Sequence, residues 1–277
     1  MRSSAFLTRY RIARRMRDYK PQAVTLKSIN RWLNQFPKED QPVLLELLAK
    51  IRYISEKETR DCLVSLNERL LQRLDRSGIP VKNVIYVQVH DAGSSSPVML
   101  NVLRNAARLE RRGCGFLDSR DILGLQDLTN RLEEGAIVYV DDFAGTGNQF
   151  CAARDYFAEY ILGTFAEFFL LPCICEEALY NLGKRGVEAF AGSVHSKAER
   201  PLHENSIVLD PSTRTHVTEL CRRIDRNWGL GYHALATMVV FDRDCPNTVP
   251  LVFRGNIGQH PWWGILPRTA DLPAVSQ

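Results

Sequence analysis

Residues 135–150 read Gly-Ala-Ile-Val-Tyr-Val-Asp-Asp-Phe-Ala-Gly-Thr-Gly-Asn-Gln-Phe. The apolar, β-branched run Ala136 to Val140 predicts a short buried strand. Two acids, Asp141 and Asp142, stand at its carboxyl end, a turn with Gly145 and Gly147 follows, and a helical pattern starts near Asn148. Ligands of open α/β sheets sit outside the carboxyl ends of the strands. Backbone N–H groups at a glycine turn and a helix N-terminus make an anion site there. Bare carboxylates would repel that anion, so they need a partner of their own, either sugar hydroxyls or a magnesium ion.

This stretch resembles the ribose-phosphate loop of type I phosphoribosyltransferases: apolar strand, two acids, then a short loop of Gly and Thr. The resemblance implies that Asp141 and Asp142 accept hydrogen bonds from the ribose hydroxyls of phosphoribosyl pyrophosphate or a nucleotide. It also implies that Ala144, Gly145, Thr146, Gly147 and Asn148 wrap the 5′-phosphate, with Gln149 close by. One departure stands out: the position after the loop's last small residue is usually Thr or Ser, and here it is Gln149. An amide still donates to phosphate. Gly147 is expected to serve the backbone's approach to the anion and not the fold. The family also implies Mg²⁺, bridging pyrophosphate and ribose hydroxyls, with Asp141 and Asp142 touching it only indirectly.

Two other readings share the string. Asp-Asp-Phe-Ala-Gly-Thr-Gly is similar to the adenosylmethionine loop of DNA amino-methyltransferases, although no Pro-Pro occurs in the chain and Asp142 replaces their proline. A nicotinamide loop needs a third glycine where Phe150 stands. The plain structural alternative is a tight strand-to-helix turn with two solvated acids.

Upstream, Val84 to Val89 predicts a first core strand, followed by His90-Asp-Ala-Gly-Ser-Ser-Ser-Pro97 and a helix from Val98. A small-residue turn in that place is a second candidate anion loop. Gly93, Ser94, Ser95 and Ser96 match the family's pyrophosphate loop in position and chemistry. Between the two loops, Gly113-Cys-Gly-Phe-Leu-Asp-Ser-Arg-Asp121 has two glycines and little apolar pattern and predicts a mobile loop, which the family resemblance implies closes over the substrate. Arg112 and Arg120 would bring positive charge to a leaving pyrophosphate.

The elements that must hold these residues follow from periodicity. Leu26, Ile29, Leu33 and Phe36 predict a helix stopped by Pro37. Pro42 opens a second, with Leu44, Leu45, Leu47, Leu48 and Ile51 on one face, and Ser55-x-x-Glu58 caps a third with Leu63, Leu66, Leu70 and Leu74. Beyond residue 150, strands over 165–175 and 187–194 alternate with helices. That alternation predicts a parallel sheet flanked by helices. The expected fold is therefore α/β, a parallel-sheet type I phosphoribosyltransferase-like core with an N-terminal helical region. The expected domains are a basic arm over 1–20, helices over 21–78, and the α/β domain with a C-terminal extension over 79–277.

The chain has 277 residues and a formal net charge of +4. Residues 1–20 hold seven basic side chains against Asp18 alone, a net +6, so the remainder sums to −2. Such an arm is expected to meet nucleic acid or an acidic partner, to act as a transit peptide, or simply to fray in solvent. No apolar run approaches the roughly 18 residues that cross a bilayer, so no membrane is expected. Seven scattered cysteines read as reduced, mostly buried thiols of a cytoplasmic protein.

The last third adds to the likeness. Pro246-Asn-Thr-Val-Pro250, an apolar strand at Leu251-Val-Phe-Arg254, and Trp263-Gly-Ile-Leu-Pro-Arg268 resemble the conflict-associated branch of phosphoribosyltransferase-like proteins in bacterial defence systems. The pieces Arg31-Trp32-Leu-x-x-Phe36 and Ile51-x-Tyr53-Ile-Ser55 fit the same branch. The implied function is an Mg-dependent pentosyltransferase acting as an antiviral effector. A non-catalytic nucleotide sensor, or a partner protein associated with nucleic acid, is the alternative.

Overall fold

The computed structural model describes residues 2–89, 95–255 and 262–272. Helices α1 (Arg2–Arg15), α2 (Leu26–Leu33) and α3 (Gln41–Lys50) are followed by strand β1 (Arg52–Ile54) and helix α4 (Glu56–Arg76). Then come β2 (Val84–Gln88), α5 (Ser96–Ala106), β3 (Gly115–Asp118), α6 (Ile122–Leu132), β4 (Glu134–Val140) and β5 (Phe143–Ala144). Next are α7 (Asn148–Ala158), β6 (Thr164–Cys175), α8 (Glu176–Gly183) and β7 (Val187–His195), and the chain ends with α9 (Pro211–Ile224), β8 (Val239–Phe241) and α10 (Leu251–Arg254).

Two compact units result: residues 57–195, and a second unit made from both chain ends, 1–56 with 196–277. This differs from boundaries at 20 and 78. Periodicity marks an apolar face but does not say what covers it. In the 57–195 unit all pairings are parallel, in the order β3-β2-β4-β6-β7, and β5 continues β4 along the same side of β6. The alternation of β4 fills two cores. Ala136, Val138 and Val140 pack with Leu63, Leu66, Leu70 and Leu74 of α4 and Met99 and Leu103 of α5. Ile137 and Tyr139 pack on the other face with Leu125 of α6, Phe150 and Phe157 of α7 and Ala178 of α8. The α4 stripe expected in a separate helical region is thus one cover of the sheet.

Three further expectations change. Gly115–Asp118, read as part of a mobile loop, is an edge strand bonded to β2, and α6 follows it directly. Leu251–Arg254 forms a helical turn instead of a strand. Arg52–Ile54 forms a strand paired in parallel with β8, a contact between residues far apart in sequence.

The basic segment is not a detachable arm. Within the unit built from the chain ends, Ile12, Met16 and Tyr19 of the first twenty residues are buried in the same core as Trp32, Leu44, Phe253 and Leu266. The Tyr19 hydroxyl donates to the Pro267 carbonyl at 2.6 Å, and Arg15 donates to the carbonyls of Leu48 and Ala49. Ile12 lies on α1, and Met16 and Tyr19 follow in the turn after it, all three buried among the arginines. Met16→Ala is accordingly expected to lower stability by about 2–4 kcal/mol through lost burial and a residual cavity. Removal of residues 1–20 should lower the melting temperature further. Thermal denaturation followed by circular dichroism checks both; an unchanged Tm in the truncated chain contradicts this packing.

Candidate functional site

Strand β4 delivers the two acids. The Asp141 N–H still donates to the Leu170 carbonyl at 3.1 Å, one residue past the strand's last pair. Val140 pairs with Leu170 and Phe143 with Cys173, so the register is kept while the ladder lapses at Asp141 and Asp142. Opposite that lapse stands Pro172, inside β6. Proline has no N–H to give the ladder, and the β6–β7 pairing also skips it. The missing donor coincides with the lapse of the ladder at the two acids, at the sheet's carboxyl edge.

The turn then closes on helix α7. Gly147 caps it in the left-handed region (φ +72°), and the Asn148 N–H donates to Thr146 Oγ1 at 3.2 Å. Asn181 of α8 donates through Nδ2 to the Thr146 carbonyl at 2.9 Å and to Asn148 Oδ1 at 3.2 Å. Ala144 and Gly147 are buried, Gly145 and Thr146 half-buried, and Asn148 and Gln149 exposed on the first turn of α7. Beneath the turn, Arg154 of α7 forks onto Glu167 of β6, and Glu167 also accepts from the Tyr139 hydroxyl at 2.6 Å. Arg185 of α8 pairs with Asp155 of α7 at 2.7 Å. These bonds fix the helix that begins at the carboxyl edge of the sheet.

Of the expected second loop, Gly93 and Ser94 lie outside the described residues. Ser96 is buried, and its Oγ accepts the Val89 N–H at 3.2 Å, which ties the head of α5 to the end of β2. Ser95 reaches the acids: its Oγ bonds Asp141 Oδ1 and lies 2.7 Å from Asp142 Oδ1. A hydroxyl carries one hydrogen, so it can donate to only one carboxylate. The second contact is complete when the other carboxyl keeps a proton. Burial and the neighbouring Asp142 charge push Asp141 up to about 8, against a smaller opposing effect of the Ser95 bond.

The two arginines do not converge. Arg112 precedes β3, hence sits at the amino edge of the parallel sheet, and binds Glu68 at 2.7 Å. Arg120 follows β3 on the acids' edge but is bound by Asp118 at 2.7 and 3.0 Å. Its distance in sequence from Asp118 allowed that local pairing, which composition did not show. Sequence reasoning also passed over Pro172 and Asn181. The proline inside an otherwise central strand was the available signal for the first; Asn181 had none.

A two-acid edge followed by a glycine-threonine turn, on a parallel sheet covered by helices on both faces, defines a phosphoribosyltransferase-like α/β protein. The family model PRTase-CE matches residues 29–268, and the chain belongs to this conflict-associated phosphoribosyltransferase family. No curated protein matches the sequence. Among solved structures, orotate phosphoribosyltransferase from Aeropyrum pernix shares 16% identity over 49% of this chain and 68% of its own, with a TM-score of 0.33. A Neisseria gonorrhoeae hypothetical protein with bound ppGpp shares 11% over 61% and 97%, at 0.36. Hypoxanthine-guanine phosphoribosyltransferase from Schistosoma mansoni in complex with IMP shares 13% over 51% and 67%, also at 0.36. Overlaps this loose bear on neither chemistry nor substrate.

Two outcomes follow from this geometry. A Cβ on Gly147 would lie 3.3 Å from Ala178 Cβ in a left-handed backbone. Gly147→Val should therefore cost about 2 kcal/mol or more in stability, in addition to any effect on the turn. An unchanged Tm contradicts the close approach. For Asp141, the folded chain keeps a proton between about pH 4 and pH 8 that the unfolded chain gives up. Stability should fall as pH rises through that window. Asp141→Asn should remove the fall, so its Tm should exceed that of the wild type at pH 8.5 and converge with it at pH 5. Parallel melting curves at both pH values check the sign.

Proposed function

We propose that the carboxyl edge of the sheet binds the ribose-5-phosphate part of phosphoribosyl pyrophosphate or of a nucleotide. The observation that carries this reading is the set of two adjacent carboxylates beside the N-terminus of α7, with a serine hydroxyl already on both acids. A sugar diol offers two O–H donors to such a pair. In this reading Asp141 and Asp142 hold the ribose hydroxyls, and residues Ala144 to Gln149 enclose the 5′-phosphate with backbone N–H groups and the Thr146 hydroxyl. Ser95, with Gly93 and Ser94, belongs to the pyrophosphate segment, while Ser96 is committed to the strand end. Family membership favours this likeness over the methyltransferase one.

The hard oxygen donors at the edge fit Mg²⁺. Among the described residues no group of three or more His, Cys, Asp or Glu could hold a metal alone. The ion would rest mainly on diphosphate and hydroxyl oxygens that the acids orient, and when bound it neutralises charge on a leaving diphosphate. The enzymatic form of the proposal is pentosyl transfer by a bacterial defence effector, supported by the conflict-associated family. A non-catalytic nucleotide sensor is the second reading. The observation favouring it is that Arg112 and Arg120 are both engaged by carboxylates and that Gln149 replaces the usual hydroxyl. No helix among the described residues is long and apolar enough to cross a membrane.

Asp141→Asn and Asp142→Asn should each weaken binding of phosphoribosyl pyrophosphate by about 1.5–3 kcal/mol, because charge-assisted acceptors are lost. Binding by the unaltered chain should tighten as pH rises toward 8, since the diol selects the ionised pair. Calorimetry with Mg²⁺ present measures both; unchanged affinity in both variants overturns the site. Pyrophosphate release with candidate acceptors separates enzyme from sensor.

A further inference from the structure

The two units differ in charge. Residues 57–195 hold 15 basic against 19 acidic side chains, a net −4, whereas the unit of both chain ends holds 21 against 13, a net +8. Within that basic unit the arginines of the first helical segment divide by role. Arg9 donates to Asn30 and Arg15 to backbone carbonyls, which holds α1 down. Arg11, Arg14 and Arg17 are exposed, with no hydrogen-bond or ion-pair partner among the described residues. Leu7 and Tyr10 share their face at helical spacing, each about half exposed.

A second surface of the same unit presents aromatic rings. Trp228, 49% exposed, stacks on Tyr232 with an interplanar angle of 18°, and His233 meets Tyr232 edge-on. The backbone holding them is strained. Gly229 packs on the Cys221 and Asp225 carbonyls and Gly231 on Thr248, while His233, Ala234 and Ala236 all have positive φ. Three such non-glycine residues within four positions make a strained segment, a pattern associated with functional sites. The exposed Arg222 and Arg226 lie just before the rings in sequence.

We propose that the unit built from both chain ends binds single-stranded nucleic acid, stacking bases on Trp228 and Tyr232 and contacting phosphates through Arg11, Arg14 and Arg17. Positive charge alone would suit any polyanion. The preformed, outward aromatic stack selects a strand whose base faces are free, which a duplex, an acidic peptide and a lipid headgroup lack. This inference does not rest on the ribose-phosphate reading.

The test uses the full chain and a labelled oligo(dT) 20-mer in fluorescence anisotropy across a salt series. A 20-base-pair duplex, polyglutamate and phosphatidylserine vesicles serve as competitors. The single strand should bind at least about tenfold more tightly than the duplex, and neither polyglutamate nor vesicles should displace it. Trp228→Ala should weaken binding by about 5- to 150-fold, the range typical of one stacked base, without changing the salt slope. Trp228→Phe should recover most of the loss. Arg11→Gln/Arg14→Gln/Arg17→Gln should flatten the logarithmic salt slope by about 2. All three sites are exposed, and unchanged melting temperatures confirm that the variants fold. Absence of binding at low salt, equal affinity for duplex, displacement by vesicles or polyglutamate, or single-strand affinity unaffected by these variants overturns the proposal.

Discussion

Two carboxylates side by side in a place partly shut off from water repel each other and lose hydration, and the carboxyl edge of this sheet is arranged around that constraint. Asp141 and Asp142 follow directly from a strand buried on both faces, so their backbone has little freedom to separate them. Within the protein alone the strain is met by one Ser95 hydroxyl placed on both acids and by a proton held well above the ordinary carboxylate range. Any ligand that brings two hydroxyl donors replaces one shared hydrogen with two, which is a chemical reason for a diol to prefer this edge. Among the described residues no third carboxylate or imidazole joins them in a group that could hold a metal ion alone.

What keeps the edge in shape lies one layer deeper. Pro172 interrupts the ladder where the acids depart, and Asn181 fixes the glycine-threonine turn from the next helix. The Arg154–Glu167–Tyr139 network joins α7 to the two central strands. Bidentate pairing of a half-buried arginine fixes orientation better than apolar contact does.

The two units differ in charge, and most of the basic unit's excess comes from its first twenty residues. The acidic unit carries the two-acid edge, and the basic unit carries the outward arginines and the aromatic stack. A basic arm at the chain start suggested a loose tail; instead its apolar residues are part of the core that the distant C-terminal segment completes. The arginines then become a fixed surface feature of a folded unit.

The sequence by itself determined the local features whose cause is local. The apolar alternation of Ala136 to Val140 dictated a buried strand, the two acids and glycine turn after it dictated a strand-to-helix turn at the sheet's carboxyl edge, and the leucine periodicities dictated helices α2 to α4. The family likeness was legible there as well, in Asp141 to Asn148. Tertiary structure decided everything that depends on which surfaces meet. It placed α4 on the sheet, made Gly115–Asp118 an edge strand because β2 was there to bond it, and turned Leu251–Arg254 into a helical turn beneath Trp32. It set Ser95 on both acids and Arg112 on Glu68, at the far edge. Residue type and spacing specify what a side chain can do. Which partner it finds depends on close approaches between segments from about 30 to 220 residues apart, and no local pattern carries that information.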